Sequence, residues 1–234
     1  MKFKHKLIRA RLIKRYKRFL SEHILENGQT VIAHCANPGS MQGIIKKDLK
    51  TWLSASKNTA RKTKYSWELA CIDNAMIGIN TLNPNKVIER ELNLKRIKKL
   101  NDYSDFRTEV SYGKNSRVDF LLKDKNKNKC YLEIKNVNLS RTKFIAEFPD
   151  SVTKRGTKHT LELITQKNNG HRAVILFLVQ RNDCKYFRFA QDLDPIYTNT
   201  LKKAIEVGVE ILCYDCIINT KEIKLNKPLK ILFE

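Results

Sequence analysis

Residues 173–179 (AVILFLV) form the longest uninterrupted apolar run among the 234 residues of the chain. This run is far too short for a membrane-spanning helix, which needs about 20 residues. It suits a β-strand that is buried on both faces, because such a strand turns no side towards water. On either side of this run, at about residues 152–167 and 196–207, the apolar residues have helical spacing. This order of segments predicts strand–helix–strand units. We therefore expect an α/β core with parallel strands at its centre.

The first 80 residues instead resemble a series of short strands separated by turns. Asn27-Gly28 lies between two strand-like segments and is typical of a tight hairpin. Several short strands joined by turns favour a small barrel, and the OB-fold is the commonest barrel of this size that binds nucleic acid. The predicted strands are residues 7–16, 18–25, 30–35, 52–56, 65–72 and 76–80.

A break near Pro84 divides the chain, because a proline between two asparagines favours a turn. We expect an OB-like barrel domain over residues 1–82 and an α/β domain over residues 83–234. The predicted elements of the second domain are, in order, a helix (87–100), three strands (107–112, 117–123, 129–137), a helix (152–167), two strands (173–180, 185–189), a helix (196–207) and a strand (209–214).

The net charge of +22 favours polyanionic partners, with nucleic acid ahead of an anionic membrane surface. Abundant lysine and asparagine have another explanation, since an A/T-rich genome encodes both often. Residues 1–20 contain nine Lys and Arg and no acid, and Tyr16 and Phe19 lie among them. The segment predicts a groove that tracks a nucleic acid backbone, although a solvated strand edge would have the same composition. The candidate contacts are Arg11, Lys14, Arg15, Lys17 and Arg18.

The cysteine pattern indicates a reducing compartment. Most of the six cysteines lie in apolar, strand-like stretches, where a free thiol behaves as a small buried side chain. Cys213 and Cys216 have CxxC spacing, but one such pair without further partners is a weak signal for zinc. Because no segment resembles a membrane span or a secretory signal, we expect a cytoplasmic protein without disulfides.

The most informative stretch is a pair of strands, residues 117–122 (RVDFLL) and 130–135 (CYLEIK), joined by a polar loop. Their apolar faces must coincide, because a slip of one residue would bury charges. Asp119, Glu133 and Lys135 then point to the same side. If the hairpin is symmetric about the middle of its loop, Asp119 lies opposite Glu133 with Cβ atoms roughly 5 Å apart.

Two facing carboxylates repel each other unless a cation neutralises them. Carboxylate oxygens at this spacing suit Mg²⁺ or Mn²⁺, which keep waters that a phosphate can replace and which activate bound water. We therefore expect Asp119, Glu133 and Lys135 to be catalytic, with both carboxylates and the backbone carbonyl of Ile134 as metal ligands. The alternative is an ordinary salt bridge on a half-exposed hairpin.

A basic helix start follows this hairpin. Arg155, His159 and Glu162 share one helix face, and helix N-terminal amides with basic side chains suit a phosphate. An exposed basic helix is the alternative. Gln180 and Arg181 are secondary candidates, because ligands of open α/β sheets gather at the C-terminal ends of strands. The candidate phosphate contacts at the helix start are Lys154, Arg155, Lys158 and His159.

An Asp followed by Glu-x-Lys on the next strand resembles the PD-(D/E)XK nuclease superfamily. The whole chain, moreover, is similar to the sugar fermentation stimulation protein A family. This resemblance implies DNA binding, an N-terminal OB-like domain and a C-terminal nuclease-like domain. The segments that carry it are residues 12–20 (LIKRYKRFL), 34–41 (HCANPGSM), 63–68 (TKYSWE), 116–122 (SRVDFLL), 132–137 (LEIKNV), 148–159 (FPDSVTKRGTKH) and 170–174 (GHRAV).

The superfamily often adds a glutamate from the first helix of the core to its metal site. This chain offers Glu89 and Glu91 there, and Glu109 on the following strand. The helical and strand periodicity does not distinguish among these three candidates.

Three functions agree with these observations. The first is an Mg²⁺-dependent or Mn²⁺-dependent nuclease acting on DNA with low sequence specificity. The second is a non-catalytic DNA-binding or regulatory protein linked to sugar metabolism, and the third is an RNA-binding factor. The choice between duplex and single-stranded DNA stays open, as does the oligomeric state, a homodimer included.

Overall fold

Six short strands form the first part of the chain in the computed structural model, which describes residues 1–56, 58, 60–113 and 115–233. Gly28, in the left-handed region at φ +82°, lies in the predicted tight turn between two antiparallel strands. The third and fifth strands pair in parallel and so close the sheet into a barrel. The strands are β1 (Ile8–Tyr16), β2 (Leu20–Leu25), β3 (Thr30–His34), β4 (Lys50–Ala55), β5 (Tyr65–Ile72) and β6 (Ala75–Gly78).

Large apolar side chains fill the barrel. Leu12, Leu53 and Trp67 are at most 1% exposed. The indole Nε1 of Trp67 donates a hydrogen bond to the carbonyl of Leu69 at 2.9 Å, so that its one polar group is satisfied in the core. Burial of this apolar surface is what stabilises a barrel of this size.

His23 is a buried titratable group in the same barrel, within hydrogen-bond distance of the hydroxyls of Thr51 and Ser21. Burial lowers the pKa of His23 from 6.5 to about 4. The unfolded chain therefore binds a proton near pH 6.5, whereas the folded barrel does so only near pH 4. We expect this group to lower the free energy of unfolding by about 2 kcal/mol between about pH 7 and about pH 5.

Urea unfolding of the native protein and of a His23→Gln variant at both pH values measures this effect. Other groups titrate in the same range, so the comparison is between the two pH dependences. The native protein should lose more stability than the variant on acidification, and equal losses would contradict the prediction.

The second part of the chain contains two sheets and three α-helices within the residues that the structure describes. The elements are α1 (Asn83–Asn93), β7 (Tyr103–Tyr112), β8 (Ser116–Asp124), β9 (Lys129–Val137), β10 (Leu139–Thr142), β11 (Ile145–Phe148), α2 (Lys154–Asn168), β12 (Arg172–Val179), β13 (Tyr186–Phe189), α3 (Pro195–Glu206), β14 (Glu210–Ile218), β15 (Ile223–Pro228) and β16 (Lys230–Leu232). The larger sheet has the strand order β15-β14-β12-β9-β8-β7, and the smaller one has the order β10-β11-β13-β16.

The apolar strand β12 occupies the centre of the larger sheet, as its composition predicts. It runs parallel to both of its neighbours, β9 and β14. Val174 and Leu176 pack on one face with side chains of α1, and Ile175 and Phe177 pack on the other with side chains of α2 and α3. The predicted α/β layer with a strand buried on both faces is therefore confirmed.

The predicted first helix differs from the structure, and four short strands of the structure were not predicted. The helix α1 begins at Asn83 and ends at Asn93, because Lys95 adopts a left-handed φ of +53°. A short 3-10 turn, Lys98–Leu100, then places Leu100 in the core. The strands β10, β11, β15 and β16 have only three to six residues each, too few for a clear periodic pattern.

The barrel and the larger sheet meet at the C-terminal end of β12. The N–H of Gly78 donates to the carbonyl of Gln180 at 2.9 Å, and Nε2 of Gln180 donates to the carbonyl of Asn80 at 3.2 Å. The guanidinium of Arg181 donates to the carbonyl of Asn138 at 3.1 Å. Gln180 and Arg181 therefore bind protein groups at this joint, which corrects their assignment as ligand contacts. The division after residue 82 stays a prediction.

Cys213 and Cys216 lie on opposite faces of β14. Cys213 packs with the side chains of α2 and α3, and Cys216 packs with those of α1. Two thiols on opposite faces of one strand do not share a zinc ion, so the CxxC spacing here reflects core packing. Among the described residues, no helix is long and apolar enough to cross a membrane.

Candidate functional site

The hairpin of β8 and β9 has the register that the sequence predicts. Phe120 pairs with Leu132, so Asp119 and Glu133 occupy the next positions of the two strands. Asp119 Oδ2 accepts a hydrogen bond from the N–H of Ile134 at 2.7 Å, which ties the two strands together at this point. The two carboxylates are thus brought to one end of the hairpin.

Glu133 is 4% exposed, and its two oxygens have different surroundings. Oε1 accepts hydrogen bonds from Lys135 Nζ at 2.9 Å and from His159 Nδ1 at 2.6 Å. Because Arg155 Nε donates to His159 Nε2 at 3.4 Å, the imidazole proton belongs on Nδ1. Oε2 is buried and has no hydrogen-bond partner among the described residues. One oxygen of Glu133 is therefore held in place, and the other is left for a ligand.

The two carboxylates have opposite pKa shifts. Burial, reinforced by the negative charge of Glu133, raises the pKa of Asp119 to about 6, although Asn85 Nδ2 donates to its Oδ1 at 2.8 Å. Burial would also raise the pKa of Glu133, but Lys135 and His159 outweigh it, and the pKa of Glu133 is lowered. Negative charge is thus concentrated at a poorly hydrated point, where a bound cation would be stabilised.

These carboxylates line a cavity of about 460 Å³ between the barrel and the larger sheet. Arg18 and residues 37–39 contribute the wall from the barrel. The wall also includes residues 147–153, from the end of β11 to the start of α2, and Arg155 of α2. The loop of the barrel is fixed there, because Ser40 Oγ donates to the carbonyl of Asp150 at 2.7 Å. The site is therefore built by both parts of the chain.

The three glutamates considered as a further ligand occupy different environments. Glu109 lines the cavity and has a left-handed φ of +53°. Glu91 is 2% exposed and lies 3.8 Å from the guanidinium of Arg96, and it is not among the residues that line the cavity. Glu89 is exposed on α1 and does not line the cavity either. Of the three, the cavity wall includes only Glu109 within the described residues.

The predicted basic residues of the barrel are spread along β1 and its turn. Arg18 lines the cavity, and Lys17 is exposed beside it. Arg15 holds the neighbouring loop through its Nη2, which donates to the carbonyl of Asn37 at 2.8 Å. Lys14 forms an exposed ion pair with Glu22 at 3.4 Å, and Arg11 is exposed opposite Lys50 of β4.

The predicted basic residues of α2 divide into a surface group and a buried one. Lys154, Arg155 and Lys158 are exposed, and Arg155 reaches the cavity wall. His159 is 5% exposed and binds Glu133, so it lies beneath the carboxylate instead of on a surface that a phosphate could contact. Packing of α2 against β12 and α3 turns this side of the helix inward and causes the difference from the prediction.

Asn85 is a site residue that the sequence analysis does not single out. It lies in the first turn of α1 and presents an amide, not a carboxylate, to Asp119. Pro84, the residue before it, was a signal that could have identified this position. Proline is common in the first turn of a helix, so Pro84 indicates that a helix begins here.

The side chains at this site could bind a divalent cation only if water molecules supplied its remaining ligands. The described residues contain no group of three or more His, Cys, Asp or Glu side chains that could hold a metal ion. The partnerless Oε2 of Glu133 and the elevated pKa of Asp119 nevertheless mark a place where a hard cation would satisfy buried negative charge. Mg²⁺ suits such a site, since it usually keeps several waters and takes only one or two carboxylates.

Comparison with known proteins agrees with this architecture. The family model described as "SfsA N-terminal OB domain" matches residues 13–79, and the one described as "Sugar fermentation stimulation protein RE domain" matches residues 82–222. A sugar fermentation stimulation protein homolog from Maricaulis maris is 45% identical over 231 residues, 99% of this chain and 98% of that protein. The homolog from Ruegeria is 46% identical over 226 residues, 96% of this chain and 97% of that protein.

A solved structure has the same fold. It is SfsA from Pyrococcus furiosus in complex with Ca²⁺, which superposes with a TM-score of 0.91 at 23% sequence identity and covers 100% of this chain and 98% of that chain. The predicted fold, an OB-like barrel followed by a mixed sheet flanked by helices, is confirmed. Since two relatives match almost the whole length at more than 40% identity, the chain belongs to the sugar fermentation stimulation protein family.

Proposed function

We propose that the chain is a DNA-binding protein of low sequence specificity whose cavity is a divalent-metal-dependent phosphodiesterase site. The observation that carries this proposal is the environment of Glu133, with one oxygen held by Lys135 and His159 and the other buried without a partner. A surface salt bridge would not need a buried carboxylate with an unused oxygen. The raised pKa of Asp119 beside it supports the same assignment.

Asp119, Glu133 and the backbone carbonyl of Ile134 are the proposed metal ligands, and Mg²⁺ or Mn²⁺ the proposed ions. The Pyrococcus furiosus relative is described in complex with Ca²⁺, which supports a divalent ion in this family. A bound Mg²⁺ would supply a polarised phosphoryl oxygen and a water of lowered pKa. Glu109, on the cavity wall, is the proposed further contact to this ion through water.

Lys135 is the proposed catalytic cation. Its Nζ donates to Glu133 Oε1, its side chain is 12% exposed, and it lines the cavity. In this position the ammonium would orient an attacking water and stabilise negative charge as it develops on the phosphate. Because Glu133 already holds the ammonium, little reorganisation is needed at the moment of reaction.

Positive charge on both sides of the cavity would bring the polyanion to the carboxylates. Arg18 on the barrel and Arg155 on α2 both line the cavity, with Lys154 and Lys158 exposed nearby on the same helix. These side chains meet phosphates and not bases in this proposal, which explains why low sequence specificity is expected. Affinity for DNA should consequently fall steeply as the salt concentration rises.

The test incubates purified protein with plasmid DNA or a single-stranded oligonucleotide in EDTA, Mg²⁺, Mn²⁺ or Ca²⁺. Cleavage is expected with Mg²⁺ or Mn²⁺ and not in EDTA. An Asp119→Ala/Glu133→Ala variant should bind DNA but not cleave it, and cleavage retained by this variant would refute the assignment. Salt-sensitive binding without cleavage under any metal would instead favour the non-catalytic DNA-binding function, and preferential binding of a matched RNA would favour the RNA-binding one.

His159 is expected to act on the metal through Glu133. Removing it in a His159→Ala variant leaves Oε1 of Glu133 with Lys135 alone, so the carboxylate is less well oriented. We expect divalent-ion affinity to fall by about 10- to 100-fold, as for other supporting groups behind metal ligands. Calorimetric titration with Mn²⁺ measures this affinity. Lys154→Ala, on the surface of the same helix, is the control and should bind the ion like the native protein, and native affinity in His159→Ala would contradict the prediction.

A further inference from the structure

The turn between β1 and β2 places two basic residues in an unfavourable backbone conformation. Lys17 and Arg18 both lie in the left-handed region, at φ 46° and 62°. Consecutive residues with positive φ in a turn are normally Asn or Gly, because larger side chains are strained there. Strain of this kind persists only where the surrounding structure enforces it, and it clusters at functional sites.

The surrounding structure does enforce this turn. Arg15 Nε donates to the carbonyl of Arg18 at 3.1 Å, and Arg18 Nε donates to the carbonyl of Pro38 at 3.1 Å. Arg15 Nη2 also donates to the carbonyl of Gly39 at 3.1 Å. These hydrogen bonds hold the turn and the loop at residues 37–39 together at the edge of the cavity.

The consequence of this arrangement is an exposed aromatic ring next to the cavity. Phe19 is the last residue of this turn, which spans residues 17–19, and it is 43% exposed, so the barrel core does not account for it. Its ring stacks on that of His34, with centroids 6.4 Å apart and planes inclined by 24°. The guanidinium of Arg18, which lines the cavity, lies 5.7 Å from the centre of the Phe19 ring.

We propose that Arg18, Phe19 and His34 form a stacking subsite for an unpaired base, and that the substrate of the neighbouring site is therefore a single-stranded stretch of DNA. This inference rests on the proposed function. A flat aromatic ring beside a guanidinium binds any base face, whereas in a duplex those faces are covered by neighbouring base pairs. The same guanidinium borders the cavity, so a stacked base leaves its adjacent phosphate near the carboxylates.

The depth of the carboxylates agrees with a flexible strand. The side chain of Glu133 is 5% exposed and lies in a cavity that is bordered by the barrel on one side and by α2 on the other. A single strand can bend into such a cavity, whereas a duplex would have to open first and lose the stacking of its bases.

Phe19→Ala is the principal test, with binding followed by fluorescence anisotropy in EDTA so that no strand is cleaved. The probes are a single-stranded oligonucleotide, the same sequence as a duplex, and an abasic single strand. The variant should bind the normal single strand about tenfold more weakly, with binding of the duplex and the abasic strand unchanged. Phe19→Trp should retain binding, and Ile32→Ala, an equally exposed apolar residue on β3, is the matched control.

A second variant removes the guanidinium from this subsite. Lys17→Asn/Arg18→Gly places residues that tolerate positive φ at the two strained positions of the turn, so its melting temperature should not fall while its single-strand affinity does. Unchanged single-strand affinity in both Phe19→Ala and this variant overturns the inference, as does an equal loss for single strand and duplex. If the native protein cleaves no DNA but Phe19→Ala loses single-strand binding selectively, the subsite stands and the phosphodiesterase assignment fails.

Discussion

Replacing Glu133 by glutamine is expected to lower divalent-ion affinity by about 100-fold and to reduce cleavage by about 1,000-fold or more. The amide oxygen of a glutamine can still accept the hydrogen bonds from Lys135 and His159, so the side chain should keep its position. The amide nitrogen then replaces Oε2, and a donor points at the place where the cation belongs. The change therefore removes the ligand and its charge with little change of shape.

Calorimetric titration with Mn²⁺ and a cleavage assay on plasmid DNA and on a single-stranded oligonucleotide measure the two effects. Asp124→Asn is the matched control, because Asp124 is a carboxylate at the turn of the same hairpin and accepts hydrogen bonds from the turn residues Asn126 and Asn128. It should bind metal and cleave DNA like the native protein. Native metal affinity in Glu133→Gln would show that Glu133 is not a ligand and would remove the main support for the phosphodiesterase site.

Replacing Lys135 by methionine is expected to reduce cleavage by about 100- to 1,000-fold, the usual effect of removing one preorganised donor from a transition state. Metal affinity should change much less, because removing the ammonium also removes a positive charge that repels the cation, which offsets the loss of one hydrogen bond to Glu133 Oε1. Methionine fills a similar volume without the charge, so the packing around this side chain, which is 12% exposed, should survive.

Single-turnover cleavage at saturating Mn²⁺, together with a metal titration, separates the two roles. Lys129→Met, on the same strand and away from the cavity, is the control and should behave like the native protein. If metal affinity in Lys135→Met falls as far as cleavage does, Lys135 serves to position Glu133 and is not the catalytic cation.

The local pattern of residues was enough to predict the hairpin of β8 and β9. Apolar and polar residues alternate in both strands, and a shift of one residue would bury charges, so only one register was acceptable. The observed pairing of Phe120 with Leu132 is the predicted one. The apolar run of β12 likewise predicted its central place in the sheet, because a strand without a polar face needs a covering layer on both sides.

Contacts between elements distant in the chain were not predictable in the same way. His159 and Asn85 have ordinary surface-type spacing in their helices, yet they reach Glu133 and Asp119 because α2 and α1 pack near the ends of β9 and β8. Gln180 has the position expected of a ligand contact but meets the barrel instead. Periodicity describes one element at a time and contains no information on how two elements approach each other.

The sequence by itself therefore determined the α/β core, the barrel and the pair of carboxylates followed by Lys135, since each depends on spacing along a single strand or turn. Only the tertiary structure decided that the cavity lies between the barrel and the sheet, that Glu109 and not Glu91 lines it, and that Arg18 and Phe19 stand at its edge. The physical reason is that two segments come together where their side chains fit each other. This fit depends on the shapes of both segments, which the pattern of either one alone does not contain.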